Sequence, residues 1–250
     1  MVQSKLFDAP SGHCVHPVPR VKLVPVSGDL VFGNTSLNFR GGKIKSSIVL
    51  WKELSSDPWI VNTVQGKNLF SFHDFPSQQC LPPPLHFSQK DKQAVDAAMV
   101  SFLQQHIVER ATDDFSGFCS TIFPRVKKDG SVRIILNLKH LNVHVEYYHF
   151  KMETLQDILP LVTHNCFFAS IDLKHAYFSV PVCNSDRAWL KFIWNDTLFQ
   201  FTCLPQGFSS SPRLFTKLLK VPFSHFRALG ILTTIYIDDC LVIADSKEKS

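Results

Sequence analysis

The sequence predicts an α+β fold, and three observations carry that prediction. Helical and strand periodicities follow one another in mixed order, without a regular βαβα alternation. Short apolar runs are separated by hairpin-forming dipeptides. Of the 250 residues, 45% are hydrophobic and 19% charged, the balance of a chain that buries a core and does not stay disordered. The 22 phenylalanines suit a buried sheet.

The elements follow in chain order. The first forty residues carry scattered Pro and Gly with weak periodicity, up to Gly41-Gly42. Ile44 to Leu54 is either an amphipathic turn or a strand. Asp57-Pro58-Trp59 reads as an N-cap followed by proline at the first helical position, with Gly66 ending that helix. The run Cys80-Leu81-Pro82-Pro83-Pro84 holds the backbone extended and marks a boundary between a partly irregular lead segment, 1–84, and a main domain, 85–250. Ser88 with Asp91 opens a helix, and Ala94, Val95, Ala98, Phe102 and Leu103 continue it at helical spacing to about Glu109. Ser120 to Val126 and Val132 to Leu138 are strands around a Lys127-Lys128-Asp129-Gly130 turn. Thr154 to Val162 is a short helix weakened by Pro160, and Cys166 to Ile171 a buried strand. Ala188 to Trp194 and Leu198 to Cys203 pair around Asn195-Asp196. Ser209 to Leu219 is helical, with Pro212 tolerable in its first turn. Thr233 to Ile237 and Cys240 to Ala244 are apolar strands flanking Asp238-Asp239.

Composition narrows the function classes. A net charge of +5 and a pI near 8.8 permit a polyanionic partner without establishing one. Cysteine occurs 7 times, an odd count with no C-x-x-C pair, as expected of reduced thiols inside the cell. His13, Cys14 and His16 lie close together, but no second ligand pair accompanies them, so a structural zinc site is not assigned. No apolar run is long enough to span a bilayer, and Met1 to Gly12 lacks a signal-peptide core, so an intracellular chain with no membrane partner is expected.

The chemistry lies in three carboxylates. Asp172 ends a buried strand, and Asp238 and Asp239 sit between two more. Neighbouring carboxylates repel and tend to hold a proton between them unless a cation joins them. Two divalent ions about 4 Å apart can activate an attacking oxygen and stabilise a leaving one in phosphoryl transfer, and magnesium favours such oxygen donors. Taken singly, Asp238-Asp239 also fits a polar turn, and Asp172 a strand-end cap.

Together these segments resemble the reverse transcriptase family. Tyr236-Ile237-Asp238-Asp239 resembles its Y-x-D-D motif, and Ser170-Ile171-Asp172-Leu173-Lys174-His175-Ala176-Tyr177-Phe178 the motif holding the first catalytic aspartate. Leu204-Pro205-Gln206-Gly207-Phe208-Ser209-Ser210-Ser211-Pro212 resembles the motif that follows. Lys127 to Gly130, Arg133 and Leu138-Lys139-His140-Leu141-Asn142 resemble the fingers hairpin. The motifs occur in the family's order and cover about Leu85 to Ser250. Gly41-Gly42, Trp51 and Asp57-Pro58-Trp59 resemble the region preceding this domain in DIRS-like retroelements.

The resemblance implies polymerase fingers and a palm, with an antiparallel palm sheet backed by helices and no thumb, truncated at its C-terminus. It implies that Asp172, Asp238 and Asp239, helped by the backbone carbonyl of Leu173, bind two Mg2+ ions, for which Mn2+ can substitute. Lys128 and Arg133 would grip the incoming triphosphate, while Gln206 and Gly207 would line the nucleotide pocket. Tyr177 would exclude a 2′-hydroxyl and so select deoxynucleotides. Lys139 and Tyr236 would meet template or primer. The implied partners are an RNA or DNA template, a primer and deoxynucleoside triphosphates. His175 departs from the pattern, standing where many relatives carry Asp. Two alternatives remain open: a decayed or repurposed palm that binds nucleic acid without catalysis, and an RNA-directed RNA polymerase, against which Tyr177 argues.

Overall fold

A computed structural model of the chain describes residues 4–5, 39–67, 69–112, 116–126, 132–162 and 166–244. The chain divides into two compact units. The first gathers Met1–Leu37, Phe150–Lys174 and Leu219–Ser250; the second gathers Asn38–His149 and His175–Leu218. Elements of both classes are present, in the mixed order expected of an α+β chain.

The first unit is built on a four-stranded antiparallel sheet, ordered β1 (Ser4–Lys5), β5 (Phe167–Asp172), β9 (Asp239–Ala244), β8 (Leu232–Tyr236). Strand side chains alternate between faces. Ile171, Ile235 and Cys240 share an apolar cluster with Phe223 and Phe226, which come from the later half of helix α6 (Ser211–Ala228), and with Leu173 and Leu219. This is the helix-backed sheet that the sequence implied.

The second unit holds a five-stranded sheet ordered β2 (Val108–Arg110), β7 (Thr197–Phe201), β6 (Lys191–Trp194), β3 (Cys119–Val126), β4 (Val132–Asn137). All its pairs are antiparallel except β3 with β6. Phenylalanine fills its core: Phe192 lies 5.7 Å from Phe199 and 5.5 Å from Phe201, centroid to centroid. Burying each such ring contributes roughly 1.5–3 kcal/mol. The helices here are α1 (Ile48–Leu54), α2 (Pro58–Val64), α3 (Gln89–Gln104) and α4 (Lys139–Asn142); the short α5 (Leu155–Ile158) belongs to the first unit.

Several boundaries differ from the sequence reading, each for a local reason. Ile44 to Leu54 is not a strand: a 3-10 helix, Lys43–Ser47, runs into α1. Helix α3 starts at the Ser88 cap, whose Oγ accepts the Asp91 N–H, but stops before Glu109. His106, at φ 52, breaks it, and Glu109 joins strand β2 instead. Residues Ala188 to Leu190 belong to a 3-10 helix, not to β6. Helix α6 does not end at Leu219; it runs through Pro222, because Phe223 and Phe226 beyond the proline are anchored in the core. The turn between the last strands is Ile237-Asp238, and Asp239 already begins β9. Two local expectations, the Asp57 cap and the Asn195-Asp196 turn, hold. Asp57 caps α2, accepting the Trp59 N–H at 2.8 Å, with Gly66 following at φ 85. Asn195 and Asp196, at φ 46 and 56, form the tight turn between β6 and β7. Among the described cysteines none is paired, and Cys119, Cys203 and Cys240 are buried. No helix of the described residues is long and apolar enough to cross a membrane. His13, Cys14 and His16 lie outside the described residues.

Candidate active site

All three acids lie in the first unit, and two of them are directly opposed. Asp172, the last residue of β5, is the direct register partner of Asp239, the first residue of β9. The Leu173 N–H donates to the Asp238 carbonyl at 2.9 Å. That bond makes Asp172–Asp239 a non-hydrogen-bonded pair, the class in which opposed Cα atoms approach to about 4.5 Å and side chains stand closest. Ile171 and Cys240, the neighbours of this pair, face Phe223, so alternation turns both carboxylates to the other face of the sheet. The third acid, Asp238, occupies the turn itself.

The buried Cys240 thiol feels all three acids. Burial pushes it up to about 12, and the charges of Asp239, Asp238 and Asp172 push in the same direction. The turn is also strained. Ile237 sits at φ 57, a left-handed conformation that costs a β-branched residue roughly 1–2 kcal/mol. The Tyr236–Asp239 pair on one side and the Leu173–Asp238 bond on the other hold it there. Tyr236, 52% exposed, stands opposite Asp239 at the end of β8. Among the described residues, no three His, Cys, Asp or Glu side chains stand close enough to form a ready cation cage. The donor set is two opposed hard carboxylates with a third on the adjoining turn. That suits an ion which takes one or two carboxylates and completes its shell with water and phosphate oxygens.

The remaining candidates lie in the second unit, apart from Lys128, which lies outside the described residues. Arg133 is exposed on β4, and its register partner on β3 is Arg125, also exposed. Directly opposed side chains have Cβ atoms about 4.5–5.5 Å apart, and like charges so placed are destabilising without a counter-ion. Arg125 escaped the sequence reading; only the hairpin register marks it.

Gln206 and Gly207 form a turn that packs on β4. Gly207 has φ 106, and a Cβ there would come within 2.3 Å of the Leu136 carbonyl oxygen and 3.7 Å of the Ile135 side chain. Ile135 is two residues from Arg133, so the loop meets β4 on the face that carries the arginines. Asn142 fastens the loop from the side. Its Nδ2 donates to the Gly207 carbonyl at 2.8 Å, and its Oδ1 accepts the Ser209 N–H at 3.0 Å. Both ends of one amide are thus spent on this turn, a role that the sequence left unassigned beyond the motif match.

Tyr177 opens a 3-10 turn, its ring edge-on to Phe215 of α6 with centroids 5.5 Å apart. It is half-buried and held by packing. His175, at φ 60, has its ring 4.6 Å from Phe39 and 6.1 Å from Phe178. Lys139 is exposed at the start of α4, its N–H directed at Asn137 Oδ1 at 3.4 Å.

The fold class is that of reverse transcriptase fingers and palm. A solved structure of the foamy viral protease-reverse transcriptase in complex with double-stranded DNA is similar, with TM-score 0.61 and 23% identity over 73% of this chain and 30% of that one. A second, the prototype foamy virus protease-reverse transcriptase, gives TM-score 0.59 and 20% identity over 70% of this chain and 22% of that one. The family described as reverse transcriptase (RNA-dependent DNA polymerase) matches residues 126–250, and the chain belongs to it. The Gag-Pol polyprotein of avian reticuloendotheliosis virus is 30% identical over 135 residues, which is 49% of this chain and 12% of that protein. The Tf2-3 transposon polyprotein of Schizosaccharomyces pombe is 24% identical over 123 residues, 49% of this chain and 9% of that protein. Polyprotein P3 of Commelina yellow mottle virus matches at 24% over the same share of this chain and 6% of its own length. The chain thus spans a small part of these curated relatives.

Proposed function

We propose that the chain supplies the catalytic core of an RNA-directed DNA polymerase. In that reaction a primer 3′-oxygen attacks the α-phosphate of a deoxynucleoside triphosphate and pyrophosphate leaves. The observation that supports this most is the direct opposition of Asp172 and Asp239 on adjacent strands, with Asp238 on the turn beside them. Opposed carboxylates destabilise a sheet unless a cation joins them, so their placement argues for use and not for structure. Asp172, Asp238 and Asp239 would hold two Mg2+ ions, with the Leu173 carbonyl as a further donor. Bound there, magnesium supplies Lewis-acid polarisation of the reacting phosphate oxygens.

The other residues bind and orient. Lys128, Arg133 and Arg125 present cations to triphosphate oxygens, which a planar guanidinium can grip with two parallel hydrogen bonds. Gln206 and Gly207 would line the nucleotide pocket, their loop lying close on β4 because Gly207 carries no Cβ to meet the Leu136 carbonyl. Tyr177, braced by Phe215, presents a fixed edge to the sugar and excludes a 2′-hydroxyl. Lys139 and Tyr236, both exposed, would meet template or primer. The DIRS-like assignment of the lead segment belongs to this proposal and rests on Gly41-Gly42, Trp51 and Asp57-Pro58-Trp59.

His175 favours a second reading. An imidazole packed between aromatic rings replaces the acid expected there, as in a palm retained for binding nucleic acid without catalysis. Primer extension on an RNA template, using the chain in its longest natural form, decides between the two. Asp238→Asn is expected to reduce extension at least about 100-fold while template binding persists. Equal extension by parent and variant would remove the carboxylates from the mechanism.

A further inference from the structure

We propose that Glu153 and Arg227 are positioning residues: their ion pair takes the place of a missing strand along the outer edge of β8 and thereby fixes the hairpin that presents Asp238 and Asp239. The proposal rests on the polymerase reading above.

Among the described residues, strand β8 is the edge of its sheet. An edge strand turns every second residue's N–H and C=O outward, unpaired. Two of those outward groups are met by side chains here. The Arg227 Nε donates to the Thr233 carbonyl at 2.9 Å. Two residues on, the Ile235 N–H donates to Glu153 Oε2 at 3.0 Å. The two side chains are joined to each other, Arg227 Nη2 donating to Glu153 Oε1 at 2.5 Å. A donor to one residue's carbonyl and an acceptor for the N–H two positions later is the pattern a neighbouring strand offers. The guanidinium–carboxylate fork reproduces it, with charge-assisted bonds in place of neutral ones.

The carboxylate is suited to this. Burial works against its charge, but the Thr234 hydroxyl, the Arg227 guanidinium and the Ile235 N–H outweigh burial and hold Glu153 below the usual carboxylate range. The Thr234 hydroxyl adds its field without a hydrogen bond of normal geometry.

The consequence falls on the acids through a short path. Ile235 is the register partner of Cys240, and Tyr236, next to it, that of Asp239. A clamp on Ile235 therefore sits one residue from the strained turn. With the outer edge free, β8 can slide or fray, and Ile237 can relax out of its left-handed conformation, carrying Asp238 away. Nothing in the sequence flags the pair, whose members lie 74 positions apart.

The test measures Mn2+ binding and amide hydrogen exchange on the full chain. Glu153→Ala and Arg227→Ala are expected to accelerate exchange at Ile235 and to weaken Mn2+ binding about 10-fold or more. Glu153→Gln keeps the shape and one acceptor oxygen, serves if the alanine variants do not fold, and is expected to fall between them and the parent. Glu153→Arg combined with Arg227→Glu restores attraction but reverses the donor and acceptor, and is expected not to rescue binding. Mn2+ affinity within about twofold of the parent in Glu153→Ala or Glu153→Gln, or rescue by the reversed pair, overturns the proposal. Asp172→Asn and Asp239→Asn separate the two levels. If they abolish Mn2+ binding while Glu153 variants do not, only the positioning role fails; if they too leave it unchanged, the metal reading and the positioning role fall together.

Discussion

Both units of the molecule set like charges against each other across an antiparallel ladder, and they do so differently. In one, Asp172 opposes Asp239 in a non-hydrogen-bonded pair, on short side chains. In the other, Arg125 opposes Arg133 on long, exposed side chains. The charge of the acids also reaches the buried Cys240 thiol, adding to the upward push of burial. The surroundings differ too. The acids lie across the sheet from a greasy cluster around Phe223, whereas the arginine-bearing face is completed by a glycine loop bolted down by Asn142. On the proposed function, each charge pair fixed by register calls for a complement of opposite sign: a metal ion for the carboxylates, phosphate for the guanidiniums.

The sharpest way to break this comparison is at the loop. Gly207→Ala adds a Cβ that meets the Leu136 carbonyl at 2.3 Å on a backbone with φ 106. Strain and overpacking together predict a loss of about 2–4 kcal/mol in urea unfolding. A loss below about 1 kcal/mol would mean that the loop leaves β4 freely and that the arginine face is not a built surface. A smaller effect, of opposite sign, is expected at the acids. Asp172→Asn removes a like-charge pair and should stabilise the metal-free chain by about 0.5–1 kcal/mol. The same variant should no longer gain Tm on adding Mn2+. Destabilisation instead would make Asp172 a structural cap. The smallest effect belongs to Arg125→Gln, a gain of about 0.2–0.5 kcal/mol at low salt that vanishes at high salt. That substitution should also reduce the rise in Tm produced by inorganic triphosphate. Salt-independence would show that the two guanidiniums already stand apart.

Much of this was legible in the sequence wherever the information is local. The Asp57 and Ser88 caps, the Asn195-Asp196 turn and the apolar strands around Asp238 were read from residues within a few positions of one another. The pairing of Asp172 with the later acids was inferred from the family's motif order, and the β5–β9 register is what carries it physically. What escaped the reading depends on partners far away. The end of α3 depends on His106 turning left-handed so that Val108 can pair with Phe201. The continuation of α6 through Pro222 depends on a core that outweighs local propensity. Arg125 became visible only with the register of β3 on β4, and the edge clamp of Glu153 and Arg227 only with the strand order of the sheet.

The left-handed backbone of Ile237 has a consequence for how the chain matures. Unfolded, an isoleucine rests in the extended or right-handed basin, and the two acids after it point wherever the coil takes them. Only when the ladders on both flanks of the turn have closed is that residue driven across. The tip therefore acts as a tell-tale of assembly: half-made molecules carry the same aspartates but not the arrangement that the closed ladders impose on them.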